Sequence, residues 1–167
     1  MKEKELSTTD EVSYKNSIWD DRENNQKLLS HAVKVLAERT GLLSLAVTTT
    51  GDHYYSGVGN LLAIHEFLDM DLSRLLFEKV DELKYWIKVL DKMEGLQGEV
   101  YFMLGEDDFS DPILEPCASI FGDFSGSSLQ GFIGVVGPKR MQYEILAPQV
   151  KYFSHLIEDI INEHEPK

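Results

Sequence analysis

Apolar residues recur at helical spacing from about Glu23. Leu28, Ala32, Val35 and Leu36 fall on one face, and Gly41 is the residue type that stops a helix. The period then shortens. "LLSLAVTTT" (42–50) and "HYYSGV" (53–58) flank Gly51-Asp52, which predicts a β-hairpin. "GNLLAIHEFL" (59–68) reads as a short helix or ordered loop. A longer helix is predicted from about Asp71 to Met93, with Leu72, Leu75, Leu76, Leu83, Trp86, Ile87 and Leu90 on its apolar side. Three more strands follow, "EVYFMLG" (99–105), "CASIFGDF" (117–124) and "LQGFIGVV" (129–136). A last helix from about Tyr143 to Asn162 buries Ile145, Phe153, Leu156, Ile157 and Ile160, with Pro148 in its first turn or displacing its start. Residues 1–21 lack periodicity and read as a flexible or loosely docked lead-in, leaving 22–167 as one domain. Hairpins outnumber crossovers in this order. The fold class is therefore α+β: a mostly antiparallel sheet of about five strands with helices packed on one side.

Charge narrows the function. The chain holds 29 acidic and 16 basic residues, a net charge of -13. DNA binding draws on Lys and Arg that displace counterions from phosphates, so this balance repels a polyanion unless basic residues are strongly segregated. Lys84, Lys88 and Lys92 share a helical stripe, but Asp81 and Asp91 lie one turn from members of it, as on a salt-bridged solvated face. The single cysteine, Cys117, excludes an internal disulfide and a multi-cysteine zinc site. No apolar run is long enough to span a bilayer, and the polar opening "MKEKELSTTDEVSYKN" has no signal-peptide core. A cytoplasmic protein without membrane attachment is expected.

Motifs for chemistry are weak. "SGVGNLL" (56–62) lacks the third glycine of a dinucleotide fingerprint and reads better as a tight turn. Glu106, Asp107, Asp108 and Asp111 lack calcium-loop spacing and suit a solvent-exposed turn. His31, His53, His65, His155 and His164 show no metal-ligand spacing, and Cys117 opens an apolar strand as a small core residue would. No enzyme, cofactor or metal site is expected. Lys139 and Arg140, after Gly137-Pro138, stand near the start of the last helix. They suit either an anion site or a turn in which Arg140 is tied to a carboxylate while Met141 and Tyr143 pack into the core.

Several stretches, in order, resemble the C-terminal part of the HrcA family of bacterial heat-inducible transcription repressors. They are "LAERTGLLSLAV" (36–47), "YYSGVGNLLAIHEFLD" (54–69), "MLGEDD" (103–108) and, most closely, "GVVGPKRMQY" (134–143). The matching positions include Asn60, Glu66, Phe67, Gly137, Pro138, Arg140, Met141 and Tyr143. Lys139, Gln142 and His65 depart from the family's usual Thr, Asp and Pro, and a bare turn stands where many members carry a long inserted dimerisation segment. The resemblance implies a GAF-like regulatory domain that dimerises and takes GroEL chaperonin as a partner. Operator DNA would be contacted through an N-terminal winged-helix domain that has no counterpart in these residues. A freestanding GAF-like sensor, or a protein-interaction module, is the alternative. In the sensor, Tyr54, Tyr55 and Trp86 would line a ligand pocket beside the sheet.

Overall fold

A computed structural model describes residues 6–19, 24–82, 84–88, 100–104, 112–126 and 129–164. Helices α1 (Thr8–Trp19) and α2 (Asn25–Thr40) lead into strands β1 (Leu43–Thr48) and β2 (His53–Ser56). Helix α3 (Val58–Leu62), a 3-10 turn (His65–Leu68) and α4 (Met70–Asp81) follow, then a short helical turn over 84–88. Strand β3 (Tyr101–Leu104), a 3-10 turn (Pro112–Leu114), β4 (Cys117–Ser125), β5 (Gln130–Pro138) and α5 (Tyr143–His164) complete the order. The strands form one sheet in the order β2-β1-β5-β4-β3, every neighbouring pair antiparallel. The α+β class with five antiparallel strands agrees with the pattern reading.

The expected one-sided sheet is corrected. Every residue of β1 is buried, and β5 is buried throughout except at Gln130. A strand buried at consecutive positions has both faces covered, because its side chains alternate between them. On one face Ala46 is paired with Ile133, and Ile120, two residues from Ile133's partner Gly122, points the same way; this face lies beneath α2 and α5. On the other, Val47, Phe132 and Phe121 carry the fully buried Trp86 (ring centroids 5.8 Å from Phe121 and 6.4 Å from Phe132). The alternate positions of the same apolar runs thus fill two cores.

Helix α2 starts at Asn24, whose side chain accepts from Lys27 N, and stops at Gly41, whose N–H donates to Ala37 O. The single helix expected over 71–93 is broken. Glu82 leaves helical geometry at ψ 95°, and a separate helical turn follows, while 83 and 89–93 lie outside the described residues. A straight helix would carry Trp86 about 9 Å beyond Val80 at 1.5 Å per residue. The break folds it back, so that its indole N–H donates to Val80 O (3.2 Å) while the ring enters the core.

Part of the expected lead-in is ordered: Thr8–Trp19 forms α1, with Tyr14 and Ile18 buried. Besides this packing, polar links attach it to α2 and α5. Tyr14 Oη donates to Gln149 Oε1 (2.8 Å), Tyr152 Oη to Glu11 O (2.7 Å) and Arg39 Nη2 to Ser13 Oγ (2.8 Å). Apolar periodicity cannot register a helix held this way. In α5, Pro148 sits beyond the first turn of a helix that begins at Tyr143. Ile145 points outward at 37% exposure instead of entering the core, whereas Phe153, Leu156, Ile157 and Ile160 are buried as expected.

Candidate functional site

The segment that best resembles a known family forms the joint between β5 and α5. Pro138 ends β5 opposite Cys117 of β4, and Lys139 N donates across to Pro116 O (2.7 Å). Met141 N returns to Pro138 O (2.9 Å), which closes the turn, and α5 starts two residues later. Tyr143 Oη donates back to Lys139 O (2.6 Å). The Lys139 ammonium lies 3.0 Å from Glu115 Oε1 at the surface.

Arg140 reaches a carboxylate 74 residues earlier in the chain. Its Nη2 donates to Glu66 Oε1 (3.0 Å) and its Nε to Glu66 Oε2 (2.9 Å), the two-pronged geometry that a guanidinium offers and an ammonium does not. The Glu66 side chain is 21% exposed and that of Arg140 66%. The hydrogen bond from Arg140 holds the Glu66 carboxyl below the usual carboxylate range, against a smaller upward push from desolvation. Glu66 belongs to the 3-10 turn whose next residue, Phe67, is buried. Arg140 thereby ties the β5–α5 joint to a turn that is anchored in the core.

Asn60 acts at a second point. Its Nδ2 donates to Ala37 O (3.2 Å) and Leu42 O (2.9 Å), joining α3 to the end of α2 and the start of β1. Gly57 just before it has φ 94°, and a Cβ there would stand 2.5 Å from Leu42 O. Gly137 abuts the other side of the same residue, since a Cβ on it would meet Leu42 Cδ2 at 2.8 Å and Met141 Sδ at 3.2 Å. Asn60, Gly137 and Met141 therefore meet around Leu42, a residue outside the expected set. Of the two glycines of "SGVGNLL", Gly57 has the left-handed backbone that the turn reading expected, whereas Gly59 lies inside α3 with nothing within 4 Å of its would-be Cβ.

Met141 is buried, whereas Tyr143 is half-buried against Phe102 (ring centroids 5.9 Å). Burial pushes the Tyr143 phenol upward, with an opposing effect of Lys139. A cleft of about 290 Å³ opens beside the joint, with Leu42, Pro138, Arg140, Met141, Arg39 and Gln149 among its walls. Arg39 lies over the Tyr14 ring (5.5 Å) and Gln149 accepts from Tyr14 Oη, so two of the cleft's wall residues are held by α1. The sequence reading passed over Arg39, Tyr14 and Gln149. No local spacing links them, since Tyr14 lies on α1, Arg39 on α2 and Gln149 on α5.

The remaining candidates stay apart. Among the described residues no three His, Cys, Asp or Glu are grouped to hold a metal ion. Cys117 is buried, and desolvation, aided by Glu115 and Glu66, pushes its thiol up to about 12. His53 is half-buried, and desolvation lowers its pKa. His65 and His155 are exposed. Tyr54 lies on the α2 side of the sheet, while Tyr55 and Trp86 lie on the other, so the three do not line one pocket. Lys84 and Lys88 are exposed on the 84–88 turn. Lys92 and the acidic segment with Glu106, Asp107, Asp108 and Asp111 lie outside the described residues.

Comparison with known proteins places these features in a family. A family model described as "HrcA protein C terminal domain" matches residues 2–146. The chain is 28% identical over 137 residues to the heat-inducible transcription repressor HrcA of Nitratidesulfovibrio vulgaris (strain DP4), covering 76% of this chain and 38% of that protein. With the same-named repressor of Methylococcus capsulatus it shares 32% identity over 108 residues, covering 64% of this chain and 30% of the relative. For that of Geobacter sulfurreducens the values are 29% over 139 residues, 82% and 40%. The chain thus spans well under half the length of these relatives. In structure it resembles a hypothetical protein whose crystal structure was solved at 2.2 Å, with a TM-score of 0.67, 14% sequence identity, and coverage of 84% of this chain and 68% of that one. The match over residues 2–146 establishes that this chain belongs to the HrcA C-terminal-domain family, whose full-length relatives are named heat-inducible transcription repressors.

Proposed function

We propose that this chain is the regulatory and dimerisation domain of a heat-shock repressor, GAF-like in fold and without enzymatic or cofactor chemistry. The operator ahead of chaperone genes is gripped by a winged-helix domain that these 167 residues do not contain. The family match over residues 2–146 carries the reading. Charge supports the division of labour: at net -13 this body is repelled by DNA and leaves phosphate contact to a basic neighbour. Among the described residues, no helix is long and apolar enough to cross a membrane, in keeping with work in the cytoplasm.

In this reading the Gly137–Tyr143 turn is an architectural joint. Glu66 and Arg140 clamp it from outside, Asn60 and Gly137 fix Leu42 beneath it, and Phe67 and Met141 root it in the core. The two-pronged ion pair favours the brace over a free anion site, since Glu66 already occupies the guanidinium. Residues 1–21, including α1, would connect the body to the DNA-binding domain. Exposed Leu62, Leu68 (65%) and Met70 (84%), within nine residues of one another, supply apolar surface for a second copy or for the chaperonin GroEL.

Sedimentation equilibrium and GroEL binding test this. The reading expects a homodimer at micromolar concentration and saturable capture by GroEL, with Met70→Glu weakening one or both. A monomer at 100 µM (roughly -5.5 kcal/mol by the affinity relation) that also ignores GroEL contradicts it. The cleft of about 290 Å³ favours a second reading, a small-molecule sensor. A thermal shift of several degrees with one metabolite class, lost in Met141→Trp, would support that alternative.

A further inference from the structure

We propose that the groove between α2 and the edge strand β2 docks an extended, acid-rich peptide segment of a protein partner. The groove, about 590 Å³, is walled by Lys27, His31, Lys34 and Tyr54, and no acidic side chain lines it among the described residues. From Asn24 to Ala37 the sequence holds no Asp or Glu, although the chain as a whole carries 29. Lys27, His31 and Lys34 follow at i, i+4 and i+7, one side of a helix. This placement runs against local electrostatics. Lys27 stands in the first turn of α2, where the helix already presents partial positive charge and where acids are favoured, yet the first turn has no acid. Among the described residues neither Lys27 nor Lys34 has an ion-pair partner. Exposed cations that no carboxylate offsets among the described residues suit something outside the chain.

Beside the cations lies an open backbone ladder. Strand β2 ends the sheet and pairs only with β1 among the described strands. Thr48 N donates to Asp52 O (2.9 Å), so the pairs Ala46↔Tyr54 and Ser44↔Ser56 are the hydrogen-bonded ones by alternation. The N–H and C=O of His53 and Tyr55 consequently turn outward, as strand addition requires. A peptide joining this edge would send every second side chain to the α2 side, where carboxylates meet Lys27, His31 and Lys34. A peptide suits the groove better than a nucleic acid. At physiological salt, charges interact over roughly 8 Å, so a short acidic segment feels the local cations, whereas a polynucleotide extends across the acidic remainder of the surface.

The test is fluorescence anisotropy of a labelled alternating Glu-Val hexapeptide titrated with the 167-residue chain. A Lys-Val hexapeptide, an N-methylated Glu-Val peptide and a duplex DNA are run in parallel. The proposal expects saturable Glu-Val binding that weakens with added salt and falls at least tenfold in Lys27→Glu/Lys34→Glu. Lys79→Glu, far along the sequence on α4, should leave it unchanged. Both lysines are exposed, so the variants should fold, which circular dichroism checks. No saturation, equal binding by the double variant, or equal binding of the N-methylated peptide overturns the proposal. So does duplex binding as tight as that of the peptide and lost in the same variant.

Discussion

Removing the Arg140 guanidinium isolates the clamp. In Arg140→Ala, Glu66 keeps its place on the 3-10 turn, one-fifth exposed, but loses both donors. An exposed ion pair contributes about 0.2–1 kcal/mol, and paired guanidinium–carboxylate geometry lies at the upper end of that range. With an arginine two-thirds exposed against a largely covered carboxylate, the expected cost is about 1 kcal/mol, which for a domain of this size lowers Tm by ~3 °C. Differential scanning calorimetry on wild type, Arg140→Ala, Glu66→Gln and the double variant separates the pair from its surroundings. The coupling energy should be about 0.5–1 kcal/mol, with Arg140→Lys intermediate because an ammonium is not a fork. Acid gives a second check. The Glu66 pKa is depressed in the folded state, so its contribution is full above the unfolded carboxyl pKa, about 4.3, and disappears as pH falls through the folded value. The gap in Tm between wild type and Arg140→Ala should therefore close as pH drops from 6 toward 3. Additive single effects, or a gap that persists in acid, would refute the clamp.

Three other positions give sharp expectations. Gly57→Ala should cost about 2 kcal/mol or more, from left-handed strain plus a Cβ forced against Leu42 O; Gly41→Ala, with φ 68° and open space, should cost about 1 kcal/mol. Urea unfolding of the two variants compares them directly, and equal losses would remove the close-approach argument. Cys117, its thiol pushed up to about 12 inside the sheet, should stay inert to a thiol-specific reagent at pH 8 and react at once in 6 M urea; fast labelling of the native protein would contradict the burial.

The strands were legible because β1, β4 and β5 are mostly apolar runs punctuated by turn residues, and Gly41 marked the end of α2 as its side-chain-free backbone allows. The same continuity hid the second helical layer: period-two burial on both faces looks like an apolar block, and only the requirement to cover each face reveals it. Helix α1 escaped notice because Tyr14–Gln149 and Arg39–Ser13 are polar links between distant residues. The break at Glu82 escaped because Leu72, Leu76 and Trp86 fit a continuous helix tolerably well. At the joint, Arg140 was legible as an ion-paired turn residue. Its partner was not, since Glu66 lies 74 residues away and entered the candidate set only through family resemblance. Leu42, around which Asn60, Gly57 and Gly137 converge, has no feature that sets it apart from any other core leucine.

Operator titration bears most directly on the proposal that this chain is a repressor's regulatory domain. Anisotropy of a labelled inverted-repeat duplex should be recorded with this chain, with a relative's winged-helix domain, and with the two fused. The account predicts no salt-sensitive binding by the chain alone, weak binding by the winged helix, and tight binding by the fusion with both half-sites occupied. Operator capture by these 167 residues alone, or a fusion no tighter than the winged helix by itself, would contradict it.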